Sequence, residues 1–289
     1  MAREKSGRAD PARTLALLWR TGEGPTRGPK QGLTVDRIVL AAIAIADTDG
    51  LGALSMRAVA ERLGVGTMSL YTYVPGKAEL LHVMFDTVLG ESELPDPIGL
   101  GWRTALERQA RADHALAQRH PWVVQLWGPG LLLMGPRITA RAEVALRTVA
   151  DLGLTEAEMA HVVGLVDAYV RGVTQVAVDV NRDAANSGVG YEDWWTESTP
   201  YLERLIQPAR FPTLTRVWAA GTYEEPPEAS FEFGLRLVLD GIETLIRSRE
   251  PAKSADPARP AESPEPARHA EPAEAGESAR HTEPPATQE

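Results

Sequence analysis

Apolar residues recur at helical spacing throughout residues 34–249, and this feature decides the fold class. Near the start of the segment Val35, Ile38, Val39 and Ala42 define one helical face. Between residues 102 and 249 apolar and polar residues do not alternate for long enough to indicate a sheet. The 43% hydrophobic content is ordinary for a globular protein, and no apolar run reaches the length of a transmembrane helix. We therefore predict an all-α, cytoplasmic protein with no membrane segment.

Residues 57–74 have the spacing of a helix-turn-helix, a motif that places its second helix in the major groove of DNA. Gly64 can adopt the positive φ of the sharp turn. Small and apolar residues that fill the angle between the two helices follow at the required offsets: Ala60, Val65, Leu70 and Val74. Ser55 and Thr67 are predicted to cap the two helices. Supporting helices are expected after Thr34 and from Lys77.

Residues 34–90 resemble the DNA-binding domain of the TetR family of transcriptional regulators. The resemblance rests on S-M-R-A-V-A-E-R-L-G-V (Ser55–Val65) and on T-M-S-L-Y-T-Y-V-P-G-K-A-E-L-L (Thr67–Leu81). It implies an N-terminal three-helix DNA-binding domain and a larger helical domain for ligand binding and dimerisation. It also implies a homodimer, bound to double-stranded DNA at a roughly palindromic operator and controlled by a small-molecule effector.

By this resemblance the DNA-contacting surface maps onto seven residues: Arg57, Thr67, Met68, Ser69, Tyr71, Tyr73 and Lys77. Arginine is suited to a phosphate or a guanine edge. Lys77, at the start of a helix, combines its ammonium with free backbone amides that attract an anion. A purely structural interpretation stays open for some of them. Arg57 can pair with Glu61 one helical turn away, and Met68 or Tyr71 can pack against neighbours.

The net charge of −10 argues against DNA binding until it is divided by segment. Residues 1–33 carry +4 and form a predicted basic, flexible N-terminal extension, in which residues 12–20 have the pattern of a short amphipathic helix. Its Gly/Pro-rich remainder fits either a DNA-contacting arm or a plain linker. Residues 34–90, the helix-turn-helix domain, carry −2, and residues 91–249, the predicted effector-binding and dimerisation domain, carry −7. Residues 250–289 carry −5 and are expected to be a disordered Pro/Ala/Glu-rich tail.

The larger half is predicted to consist of helices alone, near residues 102–119, 121–127, 136–152, 155–182, 191–206, 212–220 and 228–249. The spacing of Thr155 and Glu158 is close to that of a capping box at the start of the longest helix. The helices at 155–182 and 228–249 carry more apolar surface than one neighbour can cover, which favours a four-helix bundle between two subunits. Burial within a single subunit is the alternative.

Six residues of this half are candidates for an effector site: His114, Trp122, Trp127, Met134, Val166 and Asp167. Aromatic rings with a few polar groups are what a small-molecule cavity requires. The same aromatic residues are equally consistent with an ordinary packed core.

The absence of cysteine excludes disulfides, thiolate nucleophiles and cysteine-ligated zinc. Motifs for hydrolysis or nucleotide binding are also missing from the sequence. We therefore predict a protein that is not an enzyme and needs no cofactor or metal. The predicted function is a dimeric transcriptional repressor that a small molecule releases from its operator. Two alternatives remain, a DNA-binding regulator without a small ligand (an activator or a partner-controlled protein) and a helical-domain enzyme.

Overall fold

The computed structural model describes residues 11–21, 32–92, 99–127, 135–222 and 227–249, with side chains from residue 230 onward in the last range. Within these ranges all regular structure is helical, which confirms the predicted fold class. The helices in chain order are α1 (Pro11–Leu18), α2 (Val35–Ala53), α3 (Met56–Leu63), α4 (Thr67–Tyr71), α5 (Lys77–Leu89), α6 (Trp102–Arg119), α7 (Val123–Leu126), α8 (Pro136–Val149), α9 (Glu156–Ser187), α10 (Tyr191–Leu205), α11 (Pro212–Trp218) and α12 (Pro227–Arg249).

The ends of the N-terminal helices follow from local signals in the sequence. The side chains of Thr34 and Ser55 cap α2 and α3 by accepting backbone N–H groups three residues ahead. Regular helix geometry in α2 is interrupted at Gly50, which has a φ of 77°. The prediction that Thr67 caps the next helix is wrong. Gly66 occupies the cap position without a side-chain hydrogen bond, and Thr67 is the first residue of α4.

A first hydrophobic core joins the N-terminal helices to the beginning of the larger half. Ile38 of α2, Val59 of α3 and Leu80 of α5 are fully buried in it. The same core contains Leu116 of α6 and Trp122 at the start of α7. The helices of residues 34–90 and the α6–α7 region therefore share one continuous apolar interior, through which a displacement in one is felt by the other.

Helix α1 belongs to this folded unit. Its residues Thr14 and Leu18 are buried, Leu18 as a member of the first core, and the helix packs on α5. Arg20, just after the helix, forms an ion pair with Asp36 in the first turn of α2. The short amphipathic helix predicted here is present, whereas the description of residues 1–33 as a flexible extension is wrong for Pro11–Leu18. The apolar face of the helix is covered by α5, which fixes it to the fold.

A second core lies between α6, α9 and α12, with Leu106, Val166 and Leu239 at its centre. Helix α9 is 32 residues long, begins at the predicted capping box of Thr155 and Glu158, and runs beyond the predicted end at 182. Gly234 lets α12 approach α9 closely, since a Cβ at this position would overlap the ring of Tyr169.

A carboxylate of α5 holds the N-terminus of α8. Oδ1 of Asp86 accepts the backbone N–H groups of Arg137 and Ile138, at 3.0 and 3.1 Å. These amides lie in the first turn of α8, where the helix itself provides no acceptor. The contact ties the helix that follows the helix-turn-helix to the larger half. Burial raises the pKa of Asp86 above its ordinary value, in opposition to these hydrogen bonds.

Three predictions fall outside the described residues. They are the role of Met134, the arm-or-linker interpretation of residues 22–31 and the disordered tail at 250–289.

Candidate nucleic-acid interface and small-molecule cavity

The turn between α3 and α4 has the geometry of a helix-turn-helix. Gly64 adopts the left-handed conformation, with φ 67° and ψ 31°, and ends α3. The N–H of Val65 donates to the carbonyl of Ala60 at 3.0 Å. Leu70 and Val74 are fully buried beneath the turn. Because the inward side of α4 is fixed in this way, its other side faces solvent.

The outward side of α4 carries several of the seven residues predicted to contact DNA. Met68 is 78% exposed, and Tyr71 is also exposed. Thr67 and Ser69 are half-buried on the same short helix, so that the exposed surface is narrow. Tyr73 lies beyond the helix and packs partly against the first core. The structure therefore exposes Met68 and Tyr71 on α4 and leaves Thr67, Ser69 and Tyr73 partly buried.

The two basic residues of the predicted surface each have a partner within the chain. Nε of Arg57 lies 3.1 Å from Oε1 of Glu61, and both side chains are largely exposed. Nζ of Lys77 donates to the carbonyl oxygen of Leu51 at 3.2 Å. An exposed ion pair contributes about 0–1 kcal/mol, so the Arg57 contact is readily exchanged for a phosphate. The Lys77 contact attaches the start of α5 to the end of α2.

A cavity of about 450 Å³ lies where α2, the α6–α7 region and α9 meet. Its walls combine aromatic and aliphatic side chains with amides and two charged residues. The lining residues are Ala46, Asp47, Gly50, Gln118, Pro121, Trp122, Gln125, Thr174, Ala177, Val178, Asn181 and Arg182. Of the predicted effector residues, Trp122 lies in this wall.

His114 lies one layer behind the cavity. Its Nδ1 is 2.8 Å from the hydroxyl oxygen of Thr174, which lines the cavity, and its ring stacks on Phe231 with centroids 4.2 Å apart. Val166 is buried in the second core. Trp127 packs between the two cores, and its carbonyl accepts a hydrogen bond from Arg171. The structure thus separates the predicted effector residues into different layers.

Asp167 faces a buried charge cluster within the helical half. Arg141 of α8 forms an ion pair with Asp113 of α6, and both side chains are almost fully buried. The positive charge of Arg141 also acts on Asp167 of α9. Burial nevertheless dominates and raises the pKa of Asp167 to about 6. Arg141 therefore lies near two carboxyl groups, and burial favours the neutral form of Asp167.

Sequence reasoning missed the cavity residues that come from α2 and from the end of α9. The sequence around Asp47 indicates only a helix end, and Asn181 and Arg182 stand on a polar part of α9. The local signal near Asp47 is Gly50, three residues later in the sequence, and it indicates a turn. The common site of these residues depends on contacts between segments more than 70 residues apart.

Comparison with known proteins adds an independent observation. The family model "Bacterial regulatory proteins, tetR family" matches residues 38–84, and "Tetracyclin repressor-like, C-terminal domain" matches residues 94–246. The chain belongs to the TetR family. The resemblance drawn from the helix-turn-helix residues is thereby confirmed, and it extends to the larger half.

Relatives agree with this TetR-family membership. The chain is 42% identical over 247 residues to the HTH-type transcriptional repressor DrrR1 of Streptomyces coeruleorubidus, a match that covers 85% of this chain and 90% of the relative. Among solved structures it is similar to the TetR family protein ActR of Streptomyces coelicolor in complex with actinorhodin. That similarity has a TM-score of 0.64 and 27% identity, over 74% of this chain and 97% of ActR. Apo ActR gives a TM-score of 0.62 at 25% identity, over 78% of this chain and 100% of that one.

Membership of the TetR family settles the function class. The chain is a helix-turn-helix transcriptional regulator that binds DNA, and its relatives are regulators rather than enzymes. Within the described ranges no helix is both long enough and apolar enough to cross a membrane.

Proposed function

We propose that this TetR-family chain is a homodimeric repressor that binds a roughly palindromic operator and is released by a small molecule held in its helical half. The observation that carries the proposal is the position of the cavity. Its walls include residues of α2, next to the helix-turn-helix, as well as residues of α6 and α9. A molecule bound there contacts both halves of the chain at once. It can therefore favour one arrangement of the two halves over another.

DNA binding in this proposal depends on the exposed side of α4 and its flanks. In the proposal Met68, Thr67 and Ser69 reach base edges, and Met68 offers apolar contact to a thymine methyl group. Tyr71 and Tyr73 supply hydroxyl groups for phosphates, and Arg57 and Lys77 supply positive charge. Because residues 34–90 have a net charge of −2, these placed residues must provide the attraction that the overall charge does not.

Dimerisation is supported by apolar side chains left exposed on the two longest helices. Leu165 and Val176 of α9 are 51% and 56% exposed, and Phe233 and Leu237 of α12 are 57% and 54% exposed. In both helices these residues lie on the side away from the second core. A symmetric pairing of two chains would cover both faces at once, as a four-helix interface requires.

The cavity wall indicates the chemistry of the effector. Trp122, Ala177 and Val178 give an apolar surface, and Gln118 and Gln125 offer amides that both donate and accept hydrogen bonds. A largely apolar molecule with several polar groups fits such a wall. ActR, which is similar to this chain in fold, has been solved with actinorhodin bound. Actinorhodin is therefore a suitable first compound to test.

The experiment combines a thermal-shift screen with a DNA-binding assay. A DNA fragment is first selected from a random pool by the wild-type protein. Actinorhodin and a panel of largely apolar compounds are then screened for stabilisation, which reaches about 2.7 kcal/mol at a ligand concentration of 100 times Kd. We expect at least one stabilising compound to weaken binding to the selected fragment. A panel that gives no stabilisation favours the alternative of a regulator without a small ligand. A stabilising compound that leaves DNA affinity unchanged contradicts the proposal.

A further inference from the structure

One carboxylate oxygen joins the two halves of the chain at the wall of the cavity. Oδ1 of Asp47, on α2, accepts the indole N–H of Trp122 at 2.6 Å. Nδ1 of His120 lies 2.7 Å from the same oxygen. Asp47 is 75 residues away from Trp122 in the sequence, so this contact exists only through the tertiary fold. Asp47, His120 and Trp122 together form what we call the junction triad.

The junction triad also reaches the end of α5. Nε2 of His120 lies 3.0 Å from Oε2 of Glu91, two residues after the end of that helix, and the guanidinium of Arg119 is 3.6 Å from the same oxygen. His120 therefore stands between a carboxylate that follows α5 and a carboxylate of α2. Both helices belong to the DNA-binding half, and both are held by the same turn between α6 and α7.

Movement at Asp47 has a direct route to the DNA-contacting helix. Asp47 stands three residues before the kink at Gly50, near the end of the regular part of α2. Helix α2 packs on α3, and α3 packs on α4. The fully buried residues Ile38 and Val59 lie in the core between α2 and α3. A close-packed interior is nearly incompressible and transmits strain. Displacement of α2 therefore displaces α3 and α4 as well.

Two members of the junction triad, Trp122 and Asp47, line the cavity and so face a bound molecule. Trp122 is only 1% exposed. Val123 and Leu116 belong to the same buried core as the Trp122 ring. An occupant of the cavity therefore acts on a side chain that also donates to α2.

We propose that the hydrogen bond from Trp122 to Asp47 is the connection through which an occupant of the cavity acts on DNA binding. The inference rests on the proposed function and specifies how the effector site regulates it. In the empty protein the bond holds α2 in the arrangement that binds DNA. An occupant shifts the indole away from Asp47, and α2 is released together with α3 and α4. Asp47 and Trp122 are positioning residues in this scheme, since neither belongs to the surface proposed to contact DNA.

The test fills the cavity with a larger side chain on the protein itself, so that no ligand has to be identified first. Ala177 lines the cavity from α9 and is almost fully buried, so Ala177→Phe places a phenyl ring in a space of about 450 Å³. Trp122→Phe keeps an aromatic ring and removes the N–H donor. Affinity for the fragment selected by the wild type is measured by fluorescence anisotropy for each single variant and for the double variant.

Each single variant is expected to weaken DNA binding about tenfold, within the usual range of coupling between sites. The double variant is expected to bind like the single variants, because both changes break the same connection. Asp47→Ala, which removes the acceptor oxygen, should behave like Trp122→Phe. Ala185→Phe, at an exposed position later on α9, and Trp194→Phe, on α10, are the matched controls and should bind as the wild type does.

Effects that multiply in the double variant would overturn the proposal, and so would wild-type affinity in either single variant. Circular dichroism melts confirm that each variant is folded before its affinity is interpreted. Failure of the proposed function has a different signature, which is a screen without any stabilising compound. If a stabilising compound is found and releases DNA equally from the wild type and from Trp122→Phe, the proposed function stands and the connection through Trp122 is refuted.

Discussion

At the scale of single residues, buried charge makes the helical half sensitive to pH. Asp167 has a pKa of about 6 because burial disfavours its ionised form, although Arg141 nearby favours it. In the unfolded chain the pKa of the same carboxyl is near 3.8, the ordinary value for aspartate. Between these two values the folded protein binds more protons than the unfolded chain. The contribution of Asp167 to the free energy of unfolding therefore falls as pH rises from about 4 to about 6. Above that range the full free-energy cost of ionising the buried carboxyl is present.

Asp167→Asn should remove this penalty and stabilise the protein at neutral pH. The shift from 3.8 to about 6 corresponds to about 3 kcal/mol, which is the largest gain expected. The gain should be present at about pH 7.5 and much smaller at about pH 4, where the folded protein already holds the acid neutral and the penalty is largely absent. Urea unfolding at the two pH values measures it. Asp151→Asn, at an exposed position, is the control. An equal effect of Asp167→Asn at both pH values would contradict the assignment.

A second residue-scale prediction concerns Lys77. Lys77→Ala should weaken binding to all DNA sequences alike, since a phosphate contact carries no sequence information. The slope of log affinity against log salt concentration should become shallower by about 0.9, because one fewer phosphate is neutralised. Binding measured at several salt concentrations gives this slope. Arg216→Ala removes one positive charge from an exposed site on α11 and should leave the slope unchanged. A slope unaffected by Lys77→Ala would limit the residue to its hydrogen bond with Leu51.

At the scale of elements, α1 shows how a segment outside the family motifs becomes part of the fold. The family model for the DNA-binding domain begins at residue 38, well after this helix. Leu18 inserts into the first core, and the helix packs along α5. Helix α5 is also the element that binds α8 through Asp86. Stabilising α5 is therefore the effect that the structure supports for α1.

Leu18→Ala should destabilise the protein by about 2–5 kcal/mol, the usual cost of truncating a buried leucine. The salt dependence of DNA binding should stay the same, because no charge is removed. Leu15→Ala, on the same helix but at a position 37% exposed, is the matched control and should cost much less. Chemical denaturation measures the loss, and the salt series checks that DNA binding keeps its charge dependence. Unchanged stability in Leu18→Ala would contradict the packing of α1 on α5.

At the scale of the whole molecule, the first core and the junction triad make the two halves one mechanical unit. The cavity is lined by residues of both halves, so that in the proposed mechanism the binding energy of a ligand would act on the position of α2. The apolar residues of α9 and α12 that stay exposed in one chain point to a further level of assembly. The arrangement of two DNA-binding halves on one operator would then be set by this pairing.

Leu237→Glu should break the proposed dimer by placing a charge in an apolar interface. Static light scattering at micromolar concentration should give twice the chain mass of 31.3 kDa for the wild type and the single mass for the variant. Leu205→Glu, on α10 and 72% exposed, is the matched control and should remain dimeric. A wild-type mass of 31.3 kDa would refute the dimer directly.

Much of the fold was predictable because its signals are local. Thr34, Ser55 and Thr155 cap helices by accepting N–H groups three residues ahead, and Gly64 makes the turn of the motif on its own. Thr67 was the exception, since the backbone at Gly66 begins α4 without a side-chain cap. The surface proposed to contact DNA was predictable for a related reason. Its residues occupy fixed offsets within one short motif, so their common surface follows once the motif folds.

The effector site could not be obtained in the same way. Of its predicted residues, Trp122 lies in the cavity wall, His114 lies behind the wall against Thr174, and Val166 is buried in the second core. Periodicity shows that a residue faces inward but does not show which neighbour it meets there. The helices, the helix-turn-helix and the outward side of α4 follow from the amino-acid sequence, because each depends on residues a few positions apart. The docking of α1, the shared cavity and the bond from Trp122 to Asp47 arise only in the folded chain, because they depend on which distant helices pack together.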